Sequence, residues 1–246
     1  MTKLTTVLLL LLLILLTVPA VALEKTICGD TDDRVWSSDP KIGRAVKKID
    51  HNGGCTLTMI GRQCAISAGH CKNVLHFAEF NVPRSINFDA QHPGEEDIYQ
   101  IDQDSIVYNN RFGSDYAVFK LLPNKQTGAY AGDRYGHYEV ATKKPSKGQI
   151  VKIIGYGVDS DGTDHVTQQI NLGEITDVGT FRSLLYHRAD TRGGNSGSAI
   201  ILEENNQIVG IHTNGGCRPS GGENRGTLIA KNKNLKKAIQ SCLGVQ

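Results

Sequence analysis

The sequence lacks a strong excess of charge of either sign. Its 27 lysine and arginine residues nearly balance 25 aspartate and glutamate residues, so the formal net charge of the 246-residue chain is only +2. Nucleic-acid-binding proteins usually carry a basic stripe or a high positive charge, so nucleic acid is not an expected partner. Proline is also scarce, with 7 residues against 27 glycines. That ratio favours short strands joined by tight turns.

Only the N-terminus carries a long apolar run. Residues 7–18 are leucine-rich, Lys3 precedes them, and Ala20-Val21-Ala22 follows as a small-x-small cleavage signal. A run this short does not span a bilayer, which needs about 20 apolar residues. The pattern predicts a secretory signal peptide at 1–22 and a mature protein that is secreted to the extracellular space or periplasm, with no membrane partner.

Cysteine is limited to six residues, all of which follow the predicted cleavage point: Cys28, Cys55, Cys64, Cys71, Cys217 and Cys242. An even number of cysteines in an oxidising compartment predicts three disulfides. Spacing alone leaves their pairing open.

Short β-type segments recur along the mature chain, rich in Ile, Val, Thr and Tyr and separated by Gly, Asn, Asp and Pro. They fall at 55–60, 63–68, 74–80, 116–122, 149–157, 167–175, 181–186, 199–202, 207–213 and 226–230. The apolar spacing of Leu235, Ala238, Ile239 and Cys242 predicts one amphipathic helix at the C-terminus. The fold class expected from these patterns is all-β with a closing helix, built as two barrels or a sandwich.

Three short motifs carry the candidate chemistry. They are Ser-Ala-Gly-His-Cys at 67–71, Ser-Asp-Tyr-Ala-Val at 114–118 and Gly-Gly-Asn-Ser-Gly-Ser at 193–198. Each alone fits an ordinary turn or strand end. Together they supply a histidine, an aspartate and a glycine-flanked serine, and a weak nucleophile needs a base whose tautomer is held by a carboxylate.

These motifs resemble the three active-site motifs of trypsin-like (chymotrypsin-fold) serine proteases. Two further segments, Gly-Asp-Thr-Asp-Asp-Arg at 29–34 and Gly-Ile-His-Thr-Asn-Gly-Gly at 210–216, resemble the bacterial glutamyl endopeptidase branch, typified by the staphylococcal enzyme. The resemblance extends over essentially residues 27–246. It implies two six-stranded antiparallel β-barrels with a C-terminal helix and an active site in the cleft between the barrels.

The resemblance also implies residue roles. Ser196 would be the nucleophile, His70 the general base and then acid, and Asp115 the residue that orients His70. The backbone N–H groups of Gly194 and Ser196 would form the oxyanion hole.

A disulfide between Cys55 and Cys71 would bracket the histidine, by the same resemblance. The expected domains are a signal peptide at 1–22, a short pro-segment at 23–26, and a protease domain at 27–246 with a crossover between barrels at about 125–148. Asn195 replaces the aspartate that pairs with a new N-terminus in trypsinogen-like zymogens, so that switch is expected to be missing.

Substrate preference has two interpretations. Thr191 and His212 resemble the pair that binds the substrate carboxylate in glutamyl endopeptidases, which predicts cleavage after Glu. Asp190 lies six residues before Ser196, at the position where an aspartate gives trypsin its preference for Arg and Lys. We favour Glu and keep Arg/Lys as the alternative.

Other classes remain as alternatives. A non-catalytic protease homologue acting as a binding module would share the fold. Zinc at Cys64, His70 and Cys71 is disfavoured by their spacing, and residues 159–164 lack the closing glutamate of a calcium loop. We therefore expect a monomeric enzyme that acts on protein or peptide substrates and needs neither a metal nor a cofactor.

Overall fold

The fold is built on two seven-stranded antiparallel sheets in a computed structural model, which describes residues 26–49, 51, 53–180 and 182–244. The predicted signal peptide at 1–22 and residues 23–25 of the predicted pro-segment lie outside the described residues. The strands are β1 (Val35–Trp36), β2 (Ile42–Val46), β3 (Cys55–Met59), β4 (Cys64–Ser67), β5 (Phe77–Glu79), β6 (Ile98–Gln100), β7 (Val107–Arg111), β8 (Ser114–Lys120), β9 (Ile150–Gly155), β10 (Gln169–Val178), β11 (Leu184–His187), β12 (Ala199–Leu202), β13 (Ile208–Asn214) and β14 (Asn224–Leu228). The α-helices are α1 (Ala131–Tyr135) and α2 (Lys233–Leu243).

The C-terminal sheet closes into a six-stranded barrel. Its order is β9-β10-β11-β14-β13-β12, and β12 pairs back with β9 to complete the ring. The short strand β1 adds to β10 outside this ring. The N-terminal arm of the chain is thereby attached to the C-terminal barrel.

The N-terminal sheet, in the order β6-β5-β2-β3-β4-β8-β7, is curled into a half-barrel. Just beyond β6, the N–H of Asp102 donates to the carbonyl of Lys120, and the N–H of Leu122 donates to the carbonyl of Gln100, at 3.0 and 2.9 Å. The curl therefore brings the end of β6, one edge strand, against the end of β8, the strand next to the other edge. The expected all-β class, with two barrel-like units and a C-terminal helix, is confirmed.

One apolar cluster joins the two sheets. It contains Leu57, Ile66 and Phe119 of the N-terminal sheet together with Ile154 and Ile211 of the C-terminal barrel. A smaller cluster fills the C-terminal barrel. Because protein interiors are close-packed, a shared core holds the two sheets in one relative position and fixes the cleft between them.

Helix α2 closes the fold over the N-terminal sheet. The side chain of Asn232 accepts a hydrogen bond from the N–H of Leu235 at 3.0 Å, and Gly244 ends the helix in the left-handed region at φ 71°. Leu235, Ala238 and Ile239 are buried, as their spacing predicted. No helix among the described residues is long and apolar enough to cross a membrane.

All ten predicted strands overlap observed strands, but the sequence patterns missed four others and helix α1. The missed strands are β1, β2, β6 and β7. Strand β7 is polar and mostly exposed, and β2 contains Gly43 and the buried Arg44, so neither shows the alternation expected of a strand. The predicted strand at 74–80 also starts late, because residues 69–74 form a 3-10 helix.

The three disulfides are Cys28–Cys217, Cys55–Cys71 and Cys64–Cys242. The second is the pair that the family resemblance implies. The third ties α2 to the start of β4.

Removing the Cys64–Cys242 bridge tests how much the helix depends on it. We expect Cys64→Ala/Cys242→Ala to lower the free energy of unfolding by about 2–4 kcal/mol, because the bridge closes a long loop of the unfolded chain. Urea unfolding measures the loss, and Ser241→Ala, one residue from the bridge, is the control. A double variant as stable as the control would show that apolar packing alone holds the helix.

Candidate active site

An open cleft of about 880 Å³ lies between the two sheets. His70 and Asp115, from the N-terminal sheet, line one side of it, and Thr191, Ser196 and His212, from the C-terminal barrel, line the other. The fold therefore brings together, at one surface, the three motifs that lie far apart in the sequence.

His70 is held by Asp115 through two contacts. The Nδ1 atom of His70 lies 2.6 Å from Oδ2 of Asp115, and the backbone N–H of His70 donates to Oδ1 at 3.0 Å. Asp115 is nearly buried in β8, where its backbone N–H and carbonyl both bond to the hydroxyl of Thr227. A carboxylate held in this way keeps the proton of the imidazole on Nδ1 and leaves Nε2 free to accept one.

Local backbone geometry places His70 at the cleft. The 3-10 helix at Gly69–Val74 begins directly after β4, and the Cys55–Cys71 disulfide anchors it to β3. Gly69 is required there, because a Cβ atom at this position would lie 2.0 Å from the carbonyl oxygen of Asn109.

The loop that carries Ser196 also depends on glycine. Gly194 and Gly197 have φ angles of 100° and 91°, which residues with a side chain rarely adopt. A Cβ atom at Gly194 would in addition lie 2.2 Å from the carbonyl oxygen of Tyr156. The glycines flanking the serine therefore allow both the turn and a close approach to the neighbouring segment.

Two backbone N–H groups of this loop point away from the hydrogen bonds that the loop carbonyls accept. The carbonyl of Gly193 accepts the N–H of Val158 at 2.8 Å, and the carbonyl of Asn195 accepts the N–H of Ser198 at 3.0 Å. In a trans peptide the N–H points opposite to the carbonyl. The N–H groups of Gly194 and Ser196 therefore point away from these partners, as an oxyanion hole requires.

Thr56 of β3 supports the loop from the N-terminal sheet. Its hydroxyl donates to the carbonyl of Gly194 at 2.9 Å and accepts the N–H of Tyr156 at 3.0 Å, and its N–H donates to the carbonyl of Ser196 at 2.9 Å. One buried side chain thus links β3, the serine loop and the end of β9.

Arg34 supports the same region from the N-terminal arm. Its guanidinium is almost completely buried and donates to the carbonyl of Val158 at 3.0 Å, while Asp32 and Asp159 provide carboxylates at 2.8 and 3.0 Å. The N–H of Val158 in turn holds the carbonyl of Gly193. The two carboxylates compensate the charge of the buried guanidinium, and the three side chains together keep this segment in place behind the loop.

Ser196 lines the cleft with His70 but is not bonded to it in the described part of the chain. No hydrogen bond joins its hydroxyl to the imidazole among the described residues, although both line the same cleft. Hydrogen bonds between catalytic groups are often long or poorly aligned in unliganded structures and tighten when substrate binds.

Thr191 and His212 both line the cleft, and His187 lies next to His212. The Nε2 atom of His187 lies 3.2 Å from Nδ1 of His212, and both rings are buried. Burial lowers the pKa of His187 to about 3, and burial together with His187 and His70 holds the pKa of His212 well below its ordinary value. Both imidazoles are therefore neutral at pH 7. The hydroxyl of Thr191 is buried without a hydrogen-bond partner in the described part of the chain.

Asp190 does not line the cleft, because its carboxylate is used by the N-terminal arm. Oδ1 accepts the N–H of Cys28 at 2.7 Å, and Oδ2 accepts the N–H of Asp33 at 3.0 Å. Burial raises the pKa of Asp190. The Cys28–Cys217 disulfide secures the arm in this position.

The residues of the rejected zinc hypothesis do not form a set of thiolates. Cys55 and Cys71 approach His70, but they are bonded to each other, and Cys64 is bonded to Cys242. A disulfide sulfur offers no thiolate to a metal.

Several residues of the site escaped the sequence analysis. Thr56, His187 and Phe112 carried no local signal, because a buried threonine, a strand histidine and a turn phenylalanine each fit ordinary structural positions. Arg34 stood inside a recognised motif, but nothing in that motif indicated its partners.

Comparison with known proteins supports the fold and defines the family. Residues 37–239 match the sequence profile of the Trypsin family. The chain therefore belongs to the trypsin family of serine proteases. No curated protein sequence matches the chain.

Several solved structures are similar to this one. A Glu endopeptidase has a TM-score of 0.66 and 22% identity, with 89% of this chain and 99% of that chain covered. A thermostable serine protease from an extremophilic microorganism has a TM-score of 0.63 and 15% identity, with 85% and 99% covered. Mouse neuropsin, a serine protease expressed in the limbic system of the brain, has a TM-score of 0.60 and 19% identity, with 81% and 94% covered. At these identities the similarity supports the fold alone.

Replacing Thr56 tests its support of the serine loop. We expect Thr56→Val to lower the free energy of unfolding by about 1–3 kcal/mol, because the carbonyl of Gly194 and the N–H of Tyr156 lose a buried partner. Thr58→Val is the matched control, since Thr58 is equally buried on the same strand but only accepts one long bond, of 3.4 Å, from Ala199. Urea unfolding compares the two variants, and equal losses would contradict the special role of Thr56.

Proposed function

We propose that the protein is a secreted serine endopeptidase that hydrolyses peptide bonds through an acyl-enzyme intermediate, cleaving after Glu. The observation that carries the proposal is the pairing of His70 with Asp115, at 2.6 Å, in the cleft that also holds Ser196 and its glycine-flanked loop. Three disulfides are consistent with secretion into an oxidising compartment.

In the proposed mechanism, Nε2 of His70 takes the proton of the Ser196 hydroxyl as Oγ attacks the peptide carbonyl. Asp115 stabilises the resulting imidazolium. The N–H groups of Gly194 and Ser196 bind the negatively charged oxygen of the tetrahedral intermediate. His70 then gives its proton to the leaving amine, and the C–N bond breaks to leave the acyl-enzyme. Water repeats the sequence with His70 as base, which releases the acid product and restores Ser196.

Glu preference is supported by two buried donor groups at the cleft, which would meet a substrate carboxylate once cleavage before Ile27 removes Thr26. The hydroxyl of Thr191 is unpartnered, and a neutral His212 can donate from Nε2 if the N–H of His187 occupies its Nδ1. Asp190, the residue that the Arg/Lys alternative requires, is already bound by two backbone N–H groups of the arm. The pocket therefore offers donors and no free carboxylate.

The proposed pro-segment at 23–26 ends at this pocket. The carbonyl of Thr26 accepts the N–H of Thr191 at 3.3 Å and the amide of Asn224 at 2.8 Å, and its side chain packs on Gly215. Cleavage before Ile27 would remove Thr26 and enlarge the pocket. The new ammonium group would then lie near the substrate carboxylate.

The catalytic role of Ser196 is tested by labelling and by substitution. We expect a peptidyl phosphonate to modify Ser196, and Ser196→Ala or His70→Ala to lower peptidase turnover by a factor on the order of 10⁴–10⁶, without additivity because the residues act as a unit. Mass spectrometry locates the label. A folded wild-type protein that neither binds the label nor cleaves any peptide would support a non-catalytic binding module instead.

Specificity is tested with matched peptides that differ only in the residue before the cleaved bond: Glu, Asp, Arg or Phe. We expect Glu to be preferred, and His212→Ala to lower kcat/KM on the Glu peptide by roughly 10- to 150-fold, as expected for one lost charge-assisted hydrogen bond. Rates are expressed per titrated Ser196, so that misfolded protein does not contribute. Asp190→Asn is the companion variant: a wild-type preference for Arg that this variant abolishes would overturn the assignment.

A further inference from the structure

Three arginines without acidic partners lie in the cleft or next to a residue that lines it. Arg218 lines the cleft. Arg182 and Arg225 both contact Phe112, with guanidinium carbons 5.8 and 5.9 Å from its ring centroid. None of the three forms an ion pair in the described part of the chain. The other arginine of the cleft, Arg192, differs in this respect because it lies 3.3 Å from Asp32.

Phe112 holds the group at the cleft. It forms the turn between β7 and β8, lines the cleft and is 51% exposed. The same turn packs on the opposite barrel, since a Cβ atom at Gly113 would lie 3.6 Å from the Cβ atom of Arg182. The exposed ring is therefore part of a contact between the two barrels and presents its face to two cations.

Arg225 is half-buried, whereas Arg182 and Arg218 are exposed. Its Nε atom is buried and has no hydrogen-bond partner among the described residues. Its Nη2 atom lies under Gly216, a cleft residue, at 3.4 Å from where a Cβ atom would stand. A half-buried guanidinium without a carboxylate is costly, and an incoming anion would offset that cost.

The cleft offers no competing acid for these arginines. Asp115 is the single carboxylate among the residues that line it, and His70 occupies that carboxylate. Since the formal net charge of the whole chain is only +2, the positive field here arises from local placement. Arginine is also the side chain best suited to bind a carboxylate through two parallel hydrogen bonds.

We propose that Arg182 and Arg225, which both contact Phe112, and Arg218, which lines the same cleft, form a second carboxylate-binding site that selects acidic peptides, separate from the pocket at Thr191 and His212. The site would bind an Asp or Glu side chain of the substrate upstream of the cleaved bond. This inference rests on the proposed function only in that the ligand is a substrate of the same cleft.

The direction follows from the sheet. Both neighbours of β13 run antiparallel to it. An extended peptide that adds antiparallel to residues 213–216 runs from the Arg218 end of the cleft toward Ser196. Residues near the arginines therefore precede the cleaved bond. Because Arg225 lies beside Gly216, at the far end of this segment, the arginines would meet residues roughly two to four positions upstream.

The first test measures cleavage. Peptides with Glu before the cleaved bond carry Asp or Asn at the second, third or fourth position upstream. We expect kcat/KM to be roughly 5- to 20-fold higher for Asp than for Asn at one of these positions, and the ratio to fall with added salt. Arg225→Gln should lower the ratio toward one. Arg188→Gln, which removes the charge of an exposed arginine outside the cleft, should leave it unchanged.

The second test measures binding without chemistry. Fluorescence anisotropy gives the Kd of the Asp and Asn peptides for Ser196→Ala, and we expect the Asp peptide to bind roughly 5- to 20-fold more tightly. Arg182→Gln in the same background should reduce this ratio. Its side chain is exposed, so the variant tests the site even if Arg225→Gln fails to fold.

The outcomes separate this inference from the proposed function. Cleavage after Glu with an Asp-to-Asn ratio near one would overturn the second site and leave the peptidase intact. Lack of cleavage together with selective binding of the Asp peptide would overturn the peptidase and support the site. Equal affinity of Ser196→Ala for both peptides would overturn the site whatever the activity.

Discussion

The arrangement of the cleft depends on one constraint, the close packing of the serine loop between β3 and the end of β9. Thr56 bonds to the loop from one side, and Gly157 lies against Asn195 on the other, where a Cβ atom would be 2.2 Å from the amide oxygen. These contacts orient the N–H groups of Gly194 and Ser196. Because Thr56 belongs to the N-terminal sheet, the contact that shapes the loop also joins the two halves of the fold.

The N-terminal arm supports this arrangement and removes the Asp190 carboxylate from the pocket. It supplies Arg34 behind the loop and covers Asp190 with two backbone N–H groups. Asn195 needs no ammonium partner, since its amide oxygen accepts the N–H of Arg192 at 2.9 Å. The arm therefore supports the loop that carries Ser196, and the side chains of Thr191 and His212 remain as neutral hydrogen-bonding groups at the cleft.

Much of the fold and of the site could be predicted because the relevant signals are local. Segments rich in Ile, Val, Thr and Tyr between turn residues predicted ten strands, and glycine-rich turns around His70 and Ser196 marked the ends of two of them. Strands β2 and β7 were missed because their residues do not show a strand pattern in the sequence. Both form strands because of the neighbouring strands with which they pair. Arg44 is buried only because Glu79 of a neighbouring strand, at 2.8 Å, compensates its charge.

The sequence by itself determined the order of the three motifs, the number of disulfides, the strand-rich class and the C-terminal helix, because each follows from neighbouring residues or from composition. Tertiary structure alone decided how the side chains are used. Asp190 is turned to the arm by a residue 162 positions away, His187 is placed behind His212, and Phe112 meets two arginines from the opposite barrel. A hydrogen bond or charge contact of this kind depends on which strands become neighbours, and that is settled by the packing of the shared core.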